Sequence, residues 1–274
     1  MGHLPGSSSH VPPRRGQGRE RAAPSVARGY PRSMPSPRDD LRTVVEDATG
    51  EMFADLRALP VEEGARAAAV LMLFGTLDAV PAAHIAASVP PDLDVLLLSR
   101  ADTLRAHPGQ IAFPGGRVDP GDAGPVDAAL REAREETGLD PAGVNVIGTL
   151  PRVPLAYSRH LVTPVVAWWD RPTPVRAVDA AESAAVFRAP VADLLDPARR
   201  GTTRIHRDGR EWRGPAFLVP HATGTHVVWG FTAMLLDGLF DRLGWTEPWD
   251  ATREIALPVP GSGTSATPPR ASIS

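Results

Sequence analysis

Apolar residues occur along the middle of the chain in short continuous runs, and these runs predict buried β-strands. Runs of about 4 to 8 apolar residues bounded by turn-forming residues are typical of such strands. The predicted strands are 67–74, 94–100, 111–113, 144–150, 161–169, 186–188, 202–206 and 216–219. Start and stop signals predict helices at 40–59, 125–138, 191–195 and 229–243. Strands interrupted by helices, without a regular repeat, favour an α/β fold with a mixed sheet between helices.

Both ends of the chain are poor in large apolar residues and predict disorder. Residues 1–39 are rich in Pro, Gly, Ser and Arg, and the C-terminal end is rich in Gly, Ser, Thr and Pro. Such segments bury too little apolar surface to fold. We therefore expect a disordered N-terminal tail (1–39), a helical segment (40–64), one folded domain (65–250) and a disordered C-terminal tail (251–274).

Composition argues against several classes of function. The chain has 29 Lys and Arg against 32 Asp and Glu, so its net charge of −3 does not indicate nucleic acid as a partner. It contains no cysteine, which excludes disulfides, thiolate zinc sites and cysteine nucleophiles. No apolar run approaches the roughly 20 residues of a membrane helix. We expect a cytoplasmic protein without a membrane or nucleic-acid partner; the pattern does not indicate an oligomeric state.

The most informative local pattern is an acidic helix that follows a pair of glycines. Gly115 and Gly116 form a flexible turn, and the predicted helix after it carries Glu132, Glu135 and Glu136. Helical spacing places these three carboxylates on one side, where they repel one another. A hard divalent cation such as Mg²⁺ takes oxygen ligands and would relieve that repulsion. The pattern therefore predicts a metal site at Glu132, Glu135 and Glu136.

Another side of the same helix is predicted to be buried, well away from the acidic side. Residues with the spacing of a buried stripe are Val126, Ala129, Leu130, Ala133 and Thr137. Arg131 lies four residues before Glu135 and can pair with it, and Gly138 falls where a left-handed C-cap is expected. Arg and Glu at helical spacing usually form only a solvated surface. The upstream glycine pair and the Gly-Leu exit favour the functional interpretation.

This segment resembles the signature of the Nudix hydrolases, usually written Gly-x5-Glu-x7-Arg-Glu-U-x-Glu-Glu-x-Gly-U, in which U is a bulky aliphatic residue. The matching positions are Gly116, Arg131, Glu132, Glu135, Glu136, Gly138 and Leu139. The chain departs from the signature at three points. The first acidic position is Asp122, the gap from it to Arg131 is one residue longer, and Ala133 replaces the aliphatic residue.

The departures resemble one branch of that family, the coenzyme A pyrophosphatases, which tolerates Asp and the longer gap. That branch also has an upstream motif of the form Leu-Leu-Thr-x-Arg-Ser/Ala, then Arg, Gly and Phe-Pro-Gly-Gly. The corresponding residues are Leu96-Leu97-Leu98-Ser99-Arg100-Ala101, Arg105, Gly109 and Phe113-Pro114-Gly115-Gly116. Leu98 stands in place of Thr. The resemblance covers residues 65–243.

The resemblance implies the α/β/α sandwich of the Nudix family, with a mixed β-sheet, for the domain at 65–250. It also implies Mg²⁺-dependent (or Mn²⁺-dependent) hydrolysis of the diphosphate linkage of coenzyme A or its derivatives. The expected products are 4′-phosphopantetheine and adenosine 3′,5′-bisphosphate. Glu132 and Glu136 are the expected metal ligands, and Glu135 is a third ligand or, paired with Arg131, an orienting residue. Arginine can bind phosphate through two parallel hydrogen bonds, so we expect the arginines of the motif to contact the substrate. The expected substrate-binding residues are Arg100, Arg105, Gly115 and Gly116.

The general base stays open at this point. Glu135 and Glu136 could activate water, as could Glu182, and His160 is a further candidate. The expected catalytic set is Glu135, Glu136, Glu182 and Arg131. Two alternative functions are hydrolysis of another nucleoside diphosphate derivative, such as ADP-ribose or NADH, and a catalytically silent nucleotide-binding module. Retention of all three helix glutamates argues against the silent module.

Overall fold

The structure, a computed structural model, describes residues 36–48, 51–58, 61, 63–77, 80–101, 109–155, 159–179, 181, 183–207, 209–221 and 224–257. Its helices are α1 (Pro37–Glu46), α2 (Ala54–Arg57), α3 (Pro125–Thr137), α4 (Val191–Leu195) and α5 (Gly230–Arg242). Its strands are β1 (Arg66–Thr76), β2 (Leu93–Arg100), β3 (Ile111–Ala112), β4 (Gly115–Arg117), β5 (Val144–Thr149), β6 (Val153–Leu155), β7 (His160–Trp169), β8 (Ser183–Pro190), β9 (Arg200–Arg207), β10 (Arg210–His221) and β11 (Gly224–Val228).

The larger sheet of the described residues has eight strands and is mixed. Its main path runs β3–β2–β1–β7–β5, while β4 pairs with β1, β6 with β7 and β8 with β2. β1 and β7 are parallel over nine residue pairs, from Arg66–His160 to Phe74–Trp168, and the other pairs are antiparallel. β1 is apolar almost throughout, as expected for a central strand that is covered on both faces.

Helices cover this sheet on both faces, and the alternation along β1 shows it. Leu71 and Leu73 pack in one cluster with Ala129 of α3. Met72 and Phe74 point to the opposite face, in a cluster that includes residues of α1, α4 and α5. The predicted α/β/α sandwich is therefore confirmed.

Two predicted features of the N-terminal helix differ from the structure. The helix begins at Pro37 rather than at residue 40, because Ser36 is its N-cap and the Ser36 hydroxyl accepts the Asp39 N–H at 3.2 Å. The region predicted as one helix at 40–59 contains two helices. Phe53 has left-handed backbone geometry (φ 60°), which ends helical continuity before α2.

The C-terminal half also differs from the prediction in two places. β9, β10 and β11 form a separate three-stranded antiparallel sheet, of which β11 was not predicted; its Gly-Thr-His sequence lacks a strong strand signal. The tail boundary at residue 251 is too early. Residues 253–255 lie beside β9, where the Ile255 N–H donates to the Thr202 carbonyl at 2.8 Å and Ile255 is buried.

Several predictions from the sequence concern residues that the structure does not describe. Residues 1–35 of the predicted N-terminal tail, residues 258–274 of the C-terminal tail, and the side chains of Arg105 and Glu182 lie outside the described ranges. Within those ranges, no helix combines the length and the apolar character that crossing a membrane requires.

Candidate active site

The glycine pair lies against the backbone of the central strand. β4 pairs with β1 so that Gly115 is opposite Val70 and Gly116 opposite Ala69. A Cβ atom on Gly115 would lie 2.3 Å from the Ala69 carbonyl oxygen, closer than any side chain allows. The Leu71 N–H also donates to the Pro114 carbonyl at 2.8 Å. Glycine is therefore required at position 115 for β4 to approach β1.

Gly116 leaves the space that the Glu132 carboxylate occupies. A Cβ atom on Gly116 would lie 2.3 Å from Glu132 Oε1. The Glu132 side chain is 20% exposed, so its carboxylate rests against this backbone with one side open. The absence of a side chain at Gly116 therefore provides the space for the Glu132 carboxylate of α3.

Glu136 is fixed to the first glycine by a hydrogen bond. Its Oε2 accepts the Gly115 N–H at 2.9 Å, and the residue is only 9% exposed. The prediction that the acidic side lies well away from the buried stripe is therefore wrong for Glu136, which is buried together with Ala133 and Thr137. The reason is geometric: a carboxylate one turn after Glu132 faces β4, which covers it.

Arg131 connects the helix to the loop that precedes it. Its Nε and Nη2 donate to the two carboxylate oxygens of Asp122 at 2.9 and 3.0 Å, and Nη2 also donates to the Arg117 carbonyl at 3.0 Å. The predicted pair with Glu135 is present at 3.1 Å. The bidentate contact with Asp122 has the stronger geometry. Sequence reasoning noted Asp122 only as a motif position and missed its role in fixing Arg131.

The site carries more negative than positive charge. The Arg131 guanidinium lies within 4 Å of four carboxylates, those of Asp119, Asp122, Glu132 and Glu135. Its hydrogen bonds lower the pKa of the Asp122 carboxyl. Burial raises the pKa of the Glu132 carboxyl, although the hydrogen bond and charge of Arg131 act in the opposite direction. A single guanidinium cannot neutralise this cluster, so a further cation would be stabilised here.

The donor set fits a magnesium ion better than a metal that needs a closed cage. Across the described ranges, no three His, Asp or Glu side chains are grouped to hold one ion. Mg²⁺ is usually held by one or two carboxylates, with substrate phosphates and water completing its shell. Glu132 and Glu136, one turn apart and both at the glycine pair, supply such a pair. Glu135 is 59% exposed and bonded to Arg131.

A segment after β7 closes the other end of α3. The Arg176 N–H donates to the Thr137 carbonyl at 3.0 Å, and the Val178 N–H donates to the Glu136 carbonyl at 3.2 Å. Gly138 has the predicted left-handed geometry, with φ 69°. Glu136 is therefore held at its side chain by β4 and at its carbonyl by the segment 176–178. No local sequence pattern predicted that second contact.

Arg100 is the last residue of β2, on the sheet face that α3 covers. Leu96 packs in the same cluster as the buried residues of α3, and Leu96 and Arg100 are four residues apart in one strand. Residues an even number apart in a strand share a face.

His160, the further base candidate, is the first residue of β7 and pairs with Leu155 of β6.

Comparison with known proteins identifies the family. The NUDIX domain model matches residues 80–208. The chain is 42% identical over 154 residues to an uncharacterized Nudix hydrolase NudL of Cronobacter sakazakii, covering 56% of this chain and 77% of that protein. NudL of Salmonella newport is 41% identical with the same coverage. A MutT/nudix family protein of Enterococcus faecalis superposes with a TM-score of 0.41 and 18% identity, over 77% of this chain and 76% of its own.

The sequence relatives decide the assignment, since a TM-score that low adds no argument. Identity of 42% extends over more than three quarters of the NudL protein. In the structure, Glu132 and Glu136 contact the glycine pair, and Arg131 is hydrogen-bonded to Glu132 and Glu135. The chain belongs to the Nudix hydrolase family, enzymes that hydrolyse phosphorus-containing anhydrides in nucleoside diphosphate derivatives.

Proposed function

We propose that this hydrolase cleaves the diphosphate linkage of coenzyme A or one of its derivatives and depends on Mg²⁺ or Mn²⁺. The products are 4′-phosphopantetheine and adenosine 3′,5′-bisphosphate. The observation that carries the hydrolytic part is the placement of two carboxylates, Glu132 and Glu136, on the backbone of the glycine pair. The assignment of coenzyme A as the substrate depends on Arg100 and Arg105, the arginines of the branch motif.

Glu132 and Glu136 are the residues that would hold the cation. A divalent ion held by these two residues would supply positive charge to phosphoryl oxygens during cleavage of the diphosphate. The protein supplies fixed ligands: the Gly115 N–H restrains the Glu136 carboxylate, and Arg131 restrains Glu132 at 3.0 Å. Restraint matters because most of the rate enhancement in phosphoryl transfer comes from positioning and electrostatics.

Three carboxylates are candidates for the base that activates water, namely Glu135, Glu136 and Glu182. Glu135 is exposed and bonded to Arg131, whereas Glu136 is buried and bonded to Gly115. Comparison of Glu135→Gln, Glu136→Gln and Glu182→Gln separates the roles. Loss of the base removes the acidic limb of the pH profile of kcat, while loss of a metal ligand raises the concentration of Mg²⁺ needed for half-maximal rate.

Arg100 and Arg105 are the proposed phosphate contacts. Coenzyme A carries a 3′-phosphate in addition to its diphosphate bridge, and a guanidinium can bind such a group through two parallel hydrogen bonds. The position of Arg100 on the α3 face of the sheet supports this role. Arg105 follows it in the same motif.

A product assay tests the proposal directly. Purified protein is incubated with coenzyme A, ADP-ribose or NADH and with Mg²⁺ or Mn²⁺, and the products are resolved by mass. We expect coenzyme A to be cleaved with the highest kcat/KM, chelator to abolish turnover, and Glu136→Gln to lose it. A higher kcat/KM for ADP-ribose or NADH would show that this compound, rather than coenzyme A, is the substrate. Turnover that is unaffected by chelator would refute the metal role of the carboxylates.

A further inference from the structure

At the end of β2, two cross-strand neighbours each have one buried side-chain atom without a hydrogen-bond partner among the described residues. Arg100 pairs with Ser183, the first residue of β8, and the register shifts between Ser99 and Arg100. Ser99 pairs with Ala185, so the extra residue, Ala184, belongs to β8 and the alternation of β2 is undisturbed. Residues directly opposite in an antiparallel pair lie on one face with Cβ atoms about 4.5–5.5 Å apart. Ser183 is therefore the cross-strand neighbour of Arg100.

Ser183 and Arg100 each bury a polar atom without a partner. Ser183 is 1% exposed, and among the described residues neither its Oγ nor the Arg100 Nε has a hydrogen-bond partner. Buried unpaired donors and acceptors are rare in native proteins and costly, and each needs an explanation. The two atoms are complementary, since the Arg100 Nε–H can only donate and the Ser183 hydroxyl oxygen can accept.

We infer that Ser183 is a positioning residue for Arg100 in substrate binding. When the substrate phosphate draws the guanidinium into one rotamer, the Ser183 Oγ accepts the Nε–H of Arg100. Both Nη groups of Arg100 then face the phosphate in the fork geometry that arginine forms with oxyanions. This inference rests on the proposed function, in which Arg100 contacts the phosphomonoester remote from the diphosphate.

Ser183 itself does not reach the substrate in this scheme. Ser183 is buried whereas Arg100 is partly exposed, so the effect of the hydroxyl passes through the arginine. A different outcome is expected if Ser183 has only a structural role at the register shift in β8. Loss of the hydroxyl would then change stability and all substrates equally, with no dependence on the 3′-phosphate.

The test compares coenzyme A with dephospho-coenzyme A, which lacks the 3′-phosphate. For Ser183→Ala we expect KM for coenzyme A to rise by at least about tenfold at nearly constant kcat, the effect of one lost hydrogen bond to a charged group. KM for dephospho-coenzyme A should change less than about twofold. Ser183→Thr retains a hydroxyl and should restore most of the affinity. Ala184→Ser, which adds a hydroxyl at the exposed neighbouring position, is the matched control and should behave as wild type.

A double-mutant cycle with Arg100→Gln decides whether Ser183 acts through Arg100. In the Arg100→Gln background, Ser183→Ala should raise KM by less than about twofold, because its hydrogen-bond partner is gone. An equal rise in both backgrounds, or an equal effect of Ser183→Ala on both substrates, would refute this inference and leave the proposed function intact. If wild type cleaves neither substrate, the proposed function fails and this inference fails with it.

Discussion

Gly116→Ala tests whether the second glycine provides the space that the Glu132 carboxylate occupies. In the structure, the added Cβ would lie 2.3 Å from Glu132 Oε1, 2.4 Å from Glu132 Cδ and 2.7 Å from Oε2. Van der Waals contact begins near 3.4 Å, so the carboxylate must move by about 1 Å. The backbone at Gly116 is not in the left-handed region, so alanine adds no backbone strain there.

A shift of this size should reduce turnover far more than stability. A misplacement of about 1 Å in a positioned group costs roughly 100-fold in rate. We therefore expect kcat/KM for the preferred substrate to fall by about 100-fold, while Tm changes by less than about 3 °C, because the obstructing group is the end of a side chain. Both quantities are measured on one preparation, with turnover followed by product mass and Tm by calorimetry.

Alanine substitutions at two other glycines show whether the expected loss of activity is specific to position 116. Gly214 has open space around its Cβ position and ordinary φ, so Gly214→Ala should retain full activity and stability. Gly115→Ala meets backbone rather than a side chain, with Ala69 O at 2.3 Å and Val70 Cα at 2.7 Å, and should lower the free energy of unfolding by about 1–3 kcal/mol. Wild-type activity in Gly116→Ala would refute the claim that Glu132 must rest against this backbone.

Three other perturbations test separate parts of the structure. Asp122→Ala removes both oxygens that hold the Arg131 guanidinium, and we expect kcat/KM to fall about 10- to 100-fold in a steady-state assay. Asp237→Ala leaves Arg200, which is 1% exposed, without its carboxylate partner, and should lower the free energy of unfolding by about 3–5 kcal/mol in urea titrations. Burial, and to a smaller extent the neighbouring His221, lowers the pKa of His226 below 6.5. The His226 imidazole therefore binds a proton more tightly in the unfolded chain than in the folded protein. The stability that neutral His226 provides is complete above pH 6.5 and is lost as the pH falls through the folded pKa. His226→Phe should flatten this part of the profile of unfolding free energy against pH.

Local sequence signals predicted the elements that carry the site because their causes are local. The apolar run at 67–74 is β1, extended by one or two residues at each end. Gly138 ends α3 with the left-handed φ of 69° that a C-cap requires. Both features depend on residues within one strand or one turn, so periodicity and capping rules suffice.

Features that depend on distant contacts were not predictable in this way. The burial of Glu136 follows from β4, which lies 21 residues earlier, through the Gly115 N–H. The contact of Val178 with the Glu136 carbonyl spans more than 40 residues of sequence. Asp122 could have been found, since its place in the signature indicates an acidic partner, but helical spacing drew attention to Glu135 as the partner of Arg131. Periodicity describes one element at a time and does not show which backbone group covers a side chain.

The distribution of contacts along α3 explains how the helix can carry a repulsive cluster and still be positioned accurately. Its carboxylates repel one another, so their placement must be enforced by groups outside the cluster. Three independent contacts do this: Arg131 to Asp122 before the helix, Gly115 to the Glu136 side chain, and Val178 to the Glu136 carbonyl at its end. Two of the three are backbone groups, which lose no rotamer freedom when they bind. Under the proposed function, these backbone donors would hold Glu136 in the same geometry for each new substrate.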